Sequence, residues 1–150
     1  MRLERMIKFM EQHSFYGVMG GNGKFIEQYL YGKCHIFAQA LHLELGYNIK
    51  LLFDLEAEFV NEQNKETTYS KALVHAYCIK PDGTCIDISG KINCDTIEFE
   101  YGDCNSPQYE LHFEEEDFLN SLNSINILTP TIDELNKVRN FIRRYTEFYN

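Results

Sequence analysis

No run of about 18 apolar residues occurs anywhere in the 150 residues, so the sequence offers nothing that would cross a membrane as a helix. Basic residues are scarce. Fourteen Lys and Arg stand against 23 Asp and Glu, a formal net charge of −9. That balance excludes the basic footprint of a nucleic-acid binder and opposes attraction to an anionic membrane surface. With three prolines and nine glycines there is no linker, repeat or low-complexity tract, and a single domain over residues 1–150 is expected. Close Cys-x-x-Cys pairs are missing too. The cysteines at 34, 78, 85, 94 and 104 lack the spacing of a structural zinc site, with Cys78, Cys85, Cys94 and Cys104 the one set worth considering. The N-terminal stretch MRLERMIKFMEQHS is too charged for the apolar core of a signal peptide. An odd cysteine count without such a signal speaks against disulfides and for a cytoplasmic protein, or one exported without a cleaved signal. No metal and no cofactor is expected.

What is present is a strongly patterned, aromatic-rich chain with eleven Phe and ten Tyr, though no Trp. Leu3, Met6, Ile7 and Met10 fall at helical spacing. GVMGGNGKF (17–25) reads as a loop, without the Lys-Ser/Thr ending of a phosphate-binding loop. Ile36, Phe37, Ala40, Leu41 and Leu45 predict a helix over 33–45 that Gly46 stops. A strand over 49–60 and a polar connection over 61–70 come next. Two β-rich runs in 71–90 then flank Pro81-Asp82-Gly83, a hairpin signal. Residues 96–101 and 108–113 read as further strands. Residues 114–122 begin a helix with acids in its first turn. Thr131 and Glu134 spell a capping box for a last helix, whose Lys137, Arg139, Arg143 and Arg144 fall largely on a solvated face. The order predicts an α+β fold: N-terminal helices, an antiparallel sheet against which the helix bearing Cys34 packs, then C-terminal helices.

Three residues in this pattern carry chemistry. Cys34 opens the 33–45 helix, where unpaired N–H groups and the helix dipole favour a thiolate. It reads either as a buried small hydrophobe or as a nucleophile. His75 lies within the apolar run Ala72-Leu73-Val74-His75-Ala76-Tyr77, and Asp87 lies between Ile86 and Ile88, where a carboxylate is costly without a partner. A three-residue loop at Pro81-Asp82-Gly83 sets Lys80 opposite Thr84 and Tyr77 opposite Asp87. His75 then becomes the diagonal neighbour of Asp87 on one sheet face. A four-residue loop would place the two on opposite faces.

GKCHIFAQAL followed by HAYCIKPDGTCIDISG resembles the papain-like fold group, in particular its transglutaminase-like branch: Gly-x-Cys opening a helix, His in a strand, Asp in the next strand. The resemblance covers about residues 28–90. It implies Cys34 as nucleophile, His75 as general base and Asp87 as the acid that orients it. It also points to Gln28, six residues before the cysteine, as a contributor to the oxyanion site. His35 stands where the family usually has a large aromatic. The function implied is a thiol-dependent acyl-transfer enzyme using a Cys-His-Asp triad. It would act on an amide, peptide or isopeptide bond as a hydrolase, or as a glutamine deamidase or transglutaminase, with a protein or peptide substrate. The alternative is a non-catalytic binding or inhibitory module on the same scaffold. The acidic stretch 114–117 and the many Tyr and Phe would then form a protein-contact surface.

Overall fold

The computed structural model describes residues 28–29, 32–101 and 103–150. The helical spacing at 3–10 and the glycine-rich 17–25 segment lie outside the described residues. Helix α1 (Cys34–Leu45) is followed by strands β1 (Asn48–Val60), β2 (Thr67–Ile79), β3 (Cys85–Asp87) and β4 (Gly90–Ile92). Helix α2 (Cys94–Tyr101), strand β5 (Pro107–His112) and helices α3 (Glu115–Asn123), α4 (Ile132–Arg144) and α5 (Thr146–Tyr149) complete the order. All five strands form one antiparallel sheet in the order β4-β3-β2-β1-β5. The fold is therefore α+β, with the thiol-bearing helix against an antiparallel sheet. Among the described residues no helix is long and apolar enough to cross a membrane.

The alternation of side chains along the strands sorts the two faces of the sheet. Ile49, Leu51, Phe53, Leu73, Ala76, Cys78 and Ile86 point to one face and pack with α1, α3, α4 and α5. Tyr77 and Cys85 point to the other, against Ile97 and Tyr101 of α2. One irregularity matters for function. Leu52 pairs with His75 and Phe53 with Leu73, so Val74 is an extra residue in β2. This β-bulge lets Leu73 join the first face while His75 keeps to the second, re-aiming a side chain in the manner bulges allow. Without it, residues 73 and 75 would share a face and one of them would be misplaced.

Helix α1 is placed by α4 at both ends. Gly46 ends it in the left-handed conformation (φ 75°), its N–H returning to the His42 carbonyl. In its last turn Glu44 accepts from Arg139 Nε at 2.6 Å and from Arg143 Nη2 at 2.7 Å and Nε at 2.9 Å. Arg139 and Arg143 thus act as a clamp while Arg143, Lys137 and Arg144 stay solvent-exposed, as the sequence suggests. Just before α1, Lys33 Nζ reaches Glu134 Oε1 at 2.7 Å. The capping box at Thr131 is half formed for this reason: Thr131 Oγ1 accepts from the Glu134 N–H at 3.2 Å, while the Glu134 carboxylate turns away to Lys33. In the middle of α1, Phe37 packs on Tyr149 (centroids 5.2 Å), Phe141 (6.3 Å) and Tyr29 (6.4 Å).

Two further sequence expectations fail. Residues 96–101 form a helix, not a strand. Ile97, Phe99 and Tyr101 do alternate, but only Ile97 is fully buried and Phe99 is 88% exposed, so no sheet face stands behind the alternation. Asn93 starts the helix, its Oδ1 accepting from Asp95 N at 2.8 Å and its carbonyl from Thr96 N at 3.0 Å. The second failure concerns cysteine pairing. Cys85 and Cys94 form a disulfide, with Cα atoms 5.3 Å apart. The short β3–β4 hairpin doubles the chain back so that two cysteines nine positions apart become neighbours, which an odd count could not reveal. That pair also removes two of the four cysteines considered for a metal. Among the described residues there is no group of three metal-ligating side chains.

Candidate active site

The hairpin at Pro81-Asp82-Gly83 adopts the three-residue form. Lys80 N donates to Thr84 O at 2.9 Å, Gly83 N donates to Lys80 O at 2.9 Å, and Gly83 has φ 88°. Cys78 pairs with Ile86 and Ile79 with Cys85, so continuation of the register sets Tyr77 opposite Asp87. His75 then lies one diagonal step away, and its Nε2 donates to Asp87 Oδ2 at 3.0 Å. Both side chains are buried, His75 fully and Asp87 to within 2%. The turn chemistry thus creates a buried histidine–carboxylate pair.

Two residues that sequence reasoning misses complete its surroundings. Ser89 donates from its backbone N–H to Asp87 Oδ1 at 2.9 Å and from its Oγ to the same oxygen. Both donors fix the carboxylate so that its other oxygen faces His75. The signal is present as Asp-x-Ser in CIDISG, since an Asp side chain commonly accepts from the backbone two residues on. Tyr101 is the second. Its ring lies on the His75 imidazole at 4.1 Å between centroids and 9° between planes, with Tyr77 further off at 5.7 Å. Tyr101 comes from α2, whose sequence reads as a strand, so its meeting with His75 is not legible there.

Cys34 approaches from elsewhere. The body of α1 packs on the opposite sheet face, and Cys34, its first residue, is 7% exposed. Burial pushes the Cys34 thiol up to about 11, while N–H groups of Ala76, His35 and Cys34 itself are directed at the sulfur and favour its ionised form. The Ala76 N–H locates the sulfur beside the β2 backbone, one residue from His75. The helix start therefore acts as the sequence suggests, but desolvation outweighs it. His75 and Asp87 share a face as expected. That face belongs to α2, and the thiol meets the strand from the α1 side.

His35 is buried beside Glu134 and Lys33, and burial holds its imidazole below the ordinary value. Gln28 is exposed. Its backbone carbonyl accepts from Gly32 N at 3.1 Å and Lys33 N at 2.7 Å, which ties the chain just before α1. Of the other free cysteines, Cys78 donates its thiol to Ala38 O at 3.3 Å and burial pushes it far above the ordinary range. Cys104 is also raised, by burial and then by the nearby Asp54 and Asp103 carboxylates.

Comparison with known proteins finds no matching family model, no matching curated protein and no matching solved structure.

Proposed function

We propose that this chain is a thiol-dependent acyl-transfer enzyme of papain-like, transglutaminase-like type, with Cys34 as nucleophile, His75 as base and Asp87 as the acid that orients it. The observation that carries the reading is the buried Nε2–Oδ2 contact between His75 and Asp87, itself held by Ser89. A core position rarely takes a carboxylate and an imidazole together without a use for them. In this mechanism Nε2 stays on Asp87, and Nδ1 serves the thiol once substrate binding brings the sulfur round from the α1 side of β2. Cys34 gives its proton to His75 and attacks the carbonyl carbon of an amide. The tetrahedral oxyanion collapses, the C–N bond breaks, and the amine leaves with the proton from His75. The Cys34 backbone N–H supports the oxyanion. Water then frees the acyl group as an acid, or a second amine takes it. Substrate approach also has to supply what desolvation withholds, an ion pair between the Cys34 thiolate and the His75 imidazolium.

The second reading, a binding or inhibitory module in which Cys34 is a core thiol, draws on the same burial. The raised thiol and the fully covered His75 are what a packing role would produce. Competitive alkylation at limiting reagent near neutral pH separates the two. An isolated thiol at about 11 carries about 300-fold less thiolate than an ordinary one at 8.5. The enzyme reading expects Cys34 to be labelled ahead of Cys104 and the labelling to depend on His75. Labelling slower than Cys104, and unchanged by His75→Ala, would establish the core-thiol reading.

A further inference from the structure

Helix α2 covers His75 through the Tyr101 ring, and it buries little of its own surface among the described residues. Ile97 is its single fully buried residue, and the solvent side carries Asp95, Glu98, Phe99 and Glu100. Its first residue, Cys94, is bonded to Cys85, the first residue of the strand that ends in Asp87. Its last residue, Tyr101, lies on the imidazole. The bond thus ties the cover to the strand carrying the orienting acid, at the opposite end of the helix from the ring that does the covering. Its two sulfurs differ in access. Cys85 is fully buried with Tyr77 and Ile97, whereas Cys94 is half-buried and lines an open depression of ≈ 460 Å³ shared with Asp82, Gly83, Thr84, Lys91, Ile92 and Asn93.

We propose that Cys85–Cys94 is a redox-active site whose substrate is a dithiol reductant, and that its reduction releases α2 from His75. A thiolate of the reductant, entering by the open depression, attacks Cys94 Sγ. The S–S bond breaks, Cys85 leaves and takes a proton, and a mixed disulfide forms at Cys94. The second thiol of the reductant attacks its own bonded sulfur and frees Cys94 as a thiol. Two electrons and two protons pass to the protein, and the reductant leaves as a disulfide. Accessible disulfides are the ones exchange reaches readily, and Ile97 is the one fully buried side chain that α2 keeps without the bond. In the reduced form Tyr101 lifts, and the imidazole is open to a substrate. The regulatory meaning rests on the acyl-transfer reading of His75, whereas the opening itself does not.

The test uses the full chain, oxidised and after treatment with dithiothreitol. Mass-resolved alkylation under denaturing conditions should count the three free cysteines, Cys34, Cys78 and Cys104, in the oxidised form and all five in the reduced one. Hydrogen exchange of α2 amides should accelerate by at least about tenfold on reduction while α1 and β2 keep their protection. Acylation of His75 by diethyl pyrocarbonate should rise in parallel. Cys94→Ser should match the reduced form in both readouts without any reductant. Unchanged exchange and unchanged His75 acylation in both would overturn the proposal. So would five free thiols in protein prepared under air, or an equal loss of protection across the whole sheet, which would make the bond a plain staple. None of these readouts needs Cys34 to be a nucleophile. An α2 that opens over a Cys34 that labels slowly would sink the catalytic reading and leave the redox site standing.

Discussion

Replacing Asp87 by Asn keeps the outline of the side chain and removes its charge, and the surrounding donors dictate how the amide must sit. In the parent, Oδ1 accepts from the Ser89 backbone N–H at 2.9 Å and from Ser89 Oγ, and Oδ2 accepts from His75 Nε2 at 3.0 Å. A backbone N–H cannot turn into an acceptor, so in Asp87→Asn the amide oxygen has to occupy the Ser89 side. The NH2 group then faces His75, and Nε2 has to accept from it. The imidazole proton moves to Nδ1, the nitrogen that the mechanism requires as a base. A charged hydrogen bond, worth about 1.5–3 kcal/mol, becomes a neutral one worth about 0.5–1.5 kcal/mol, a loss of about 1–1.5 kcal/mol of stability. Removing the carboxylate behind a histidine base while keeping its shape lowers turnover on the order of 10⁴-fold, through the wrong tautomer. Asp87→Ala leaves both Ser89 and His75 without their acceptor and costs more, about 3–5 kcal/mol. Urea unfolding measures the first effect, the alkylation rate of Cys34 near neutral pH the second, and the ¹⁵N shifts of the His75 ring report the tautomer. A folded Asp87→Asn protein with the tautomer reversed and Cys34 as reactive as in the parent would refute the assignment of His75 as its base.

Phe37→Ala removes the ring at the centre of the Tyr29, Phe141 and Tyr149 cluster and should cost about 3–5 kcal/mol in urea unfolding, against less than about 0.5 kcal/mol for Leu128→Ala on the surface. Equal effects would mean that α1 is not seated on this cluster. Burial opposes ionisation of Glu44, but the hydrogen bonds from Arg143 and Arg139 outweigh it and hold the carboxyl below its ordinary value. A depressed folded value means a contribution present above the unfolded value of about 4.3 and lost as pH falls through the folded one. The stability difference between the parent and Glu44→Gln should therefore be flat around neutrality and shrink below about pH 4.3. A difference that widens on acidification would reverse the sign of this argument.

The parts of the fold that are legible in the sequence are those set by short-range chemistry. Gly46 ends α1, the Pro81-Asp82-Gly83 loop fixes parity, and parity alone brings His75 to Asp87. What is not legible depends on distance in space. Ile97, Phe99 and Tyr101 carry the period of a strand, and only the want of a partnering face tells the helix from it. Arg139 and Arg143 read as charges on a solvated face, and nothing local reveals that Glu44 of α1 stands opposite them. The Val74 bulge has no local signature, yet it decides that Leu73 and His75 occupy different faces. The balance at Cys34 escapes the sequence because a helix start is visible there and the depth of its burial is not.

The two grips of α4 on α1 have a consequence for the order in which the chain is made. Cys34, His75 and Asp87 are all synthesised before Glu134, Arg139 and Arg143, the residues that hold α1 at Lys33 and at Glu44. Tyr149, whose hydroxyl reaches the Ile88 carbonyl at 2.7 Å behind Asp87, comes later still. At about 5–20 residues per second, the hundred or so positions between α1 and its clamp take roughly 5–20 s to translate. Throughout that interval the nascent chain carries its thiol on a helix that has its sheet contacts but neither of these grips. The relation between sulfur and imidazole is established last, by side chains that take no part in the chemistry.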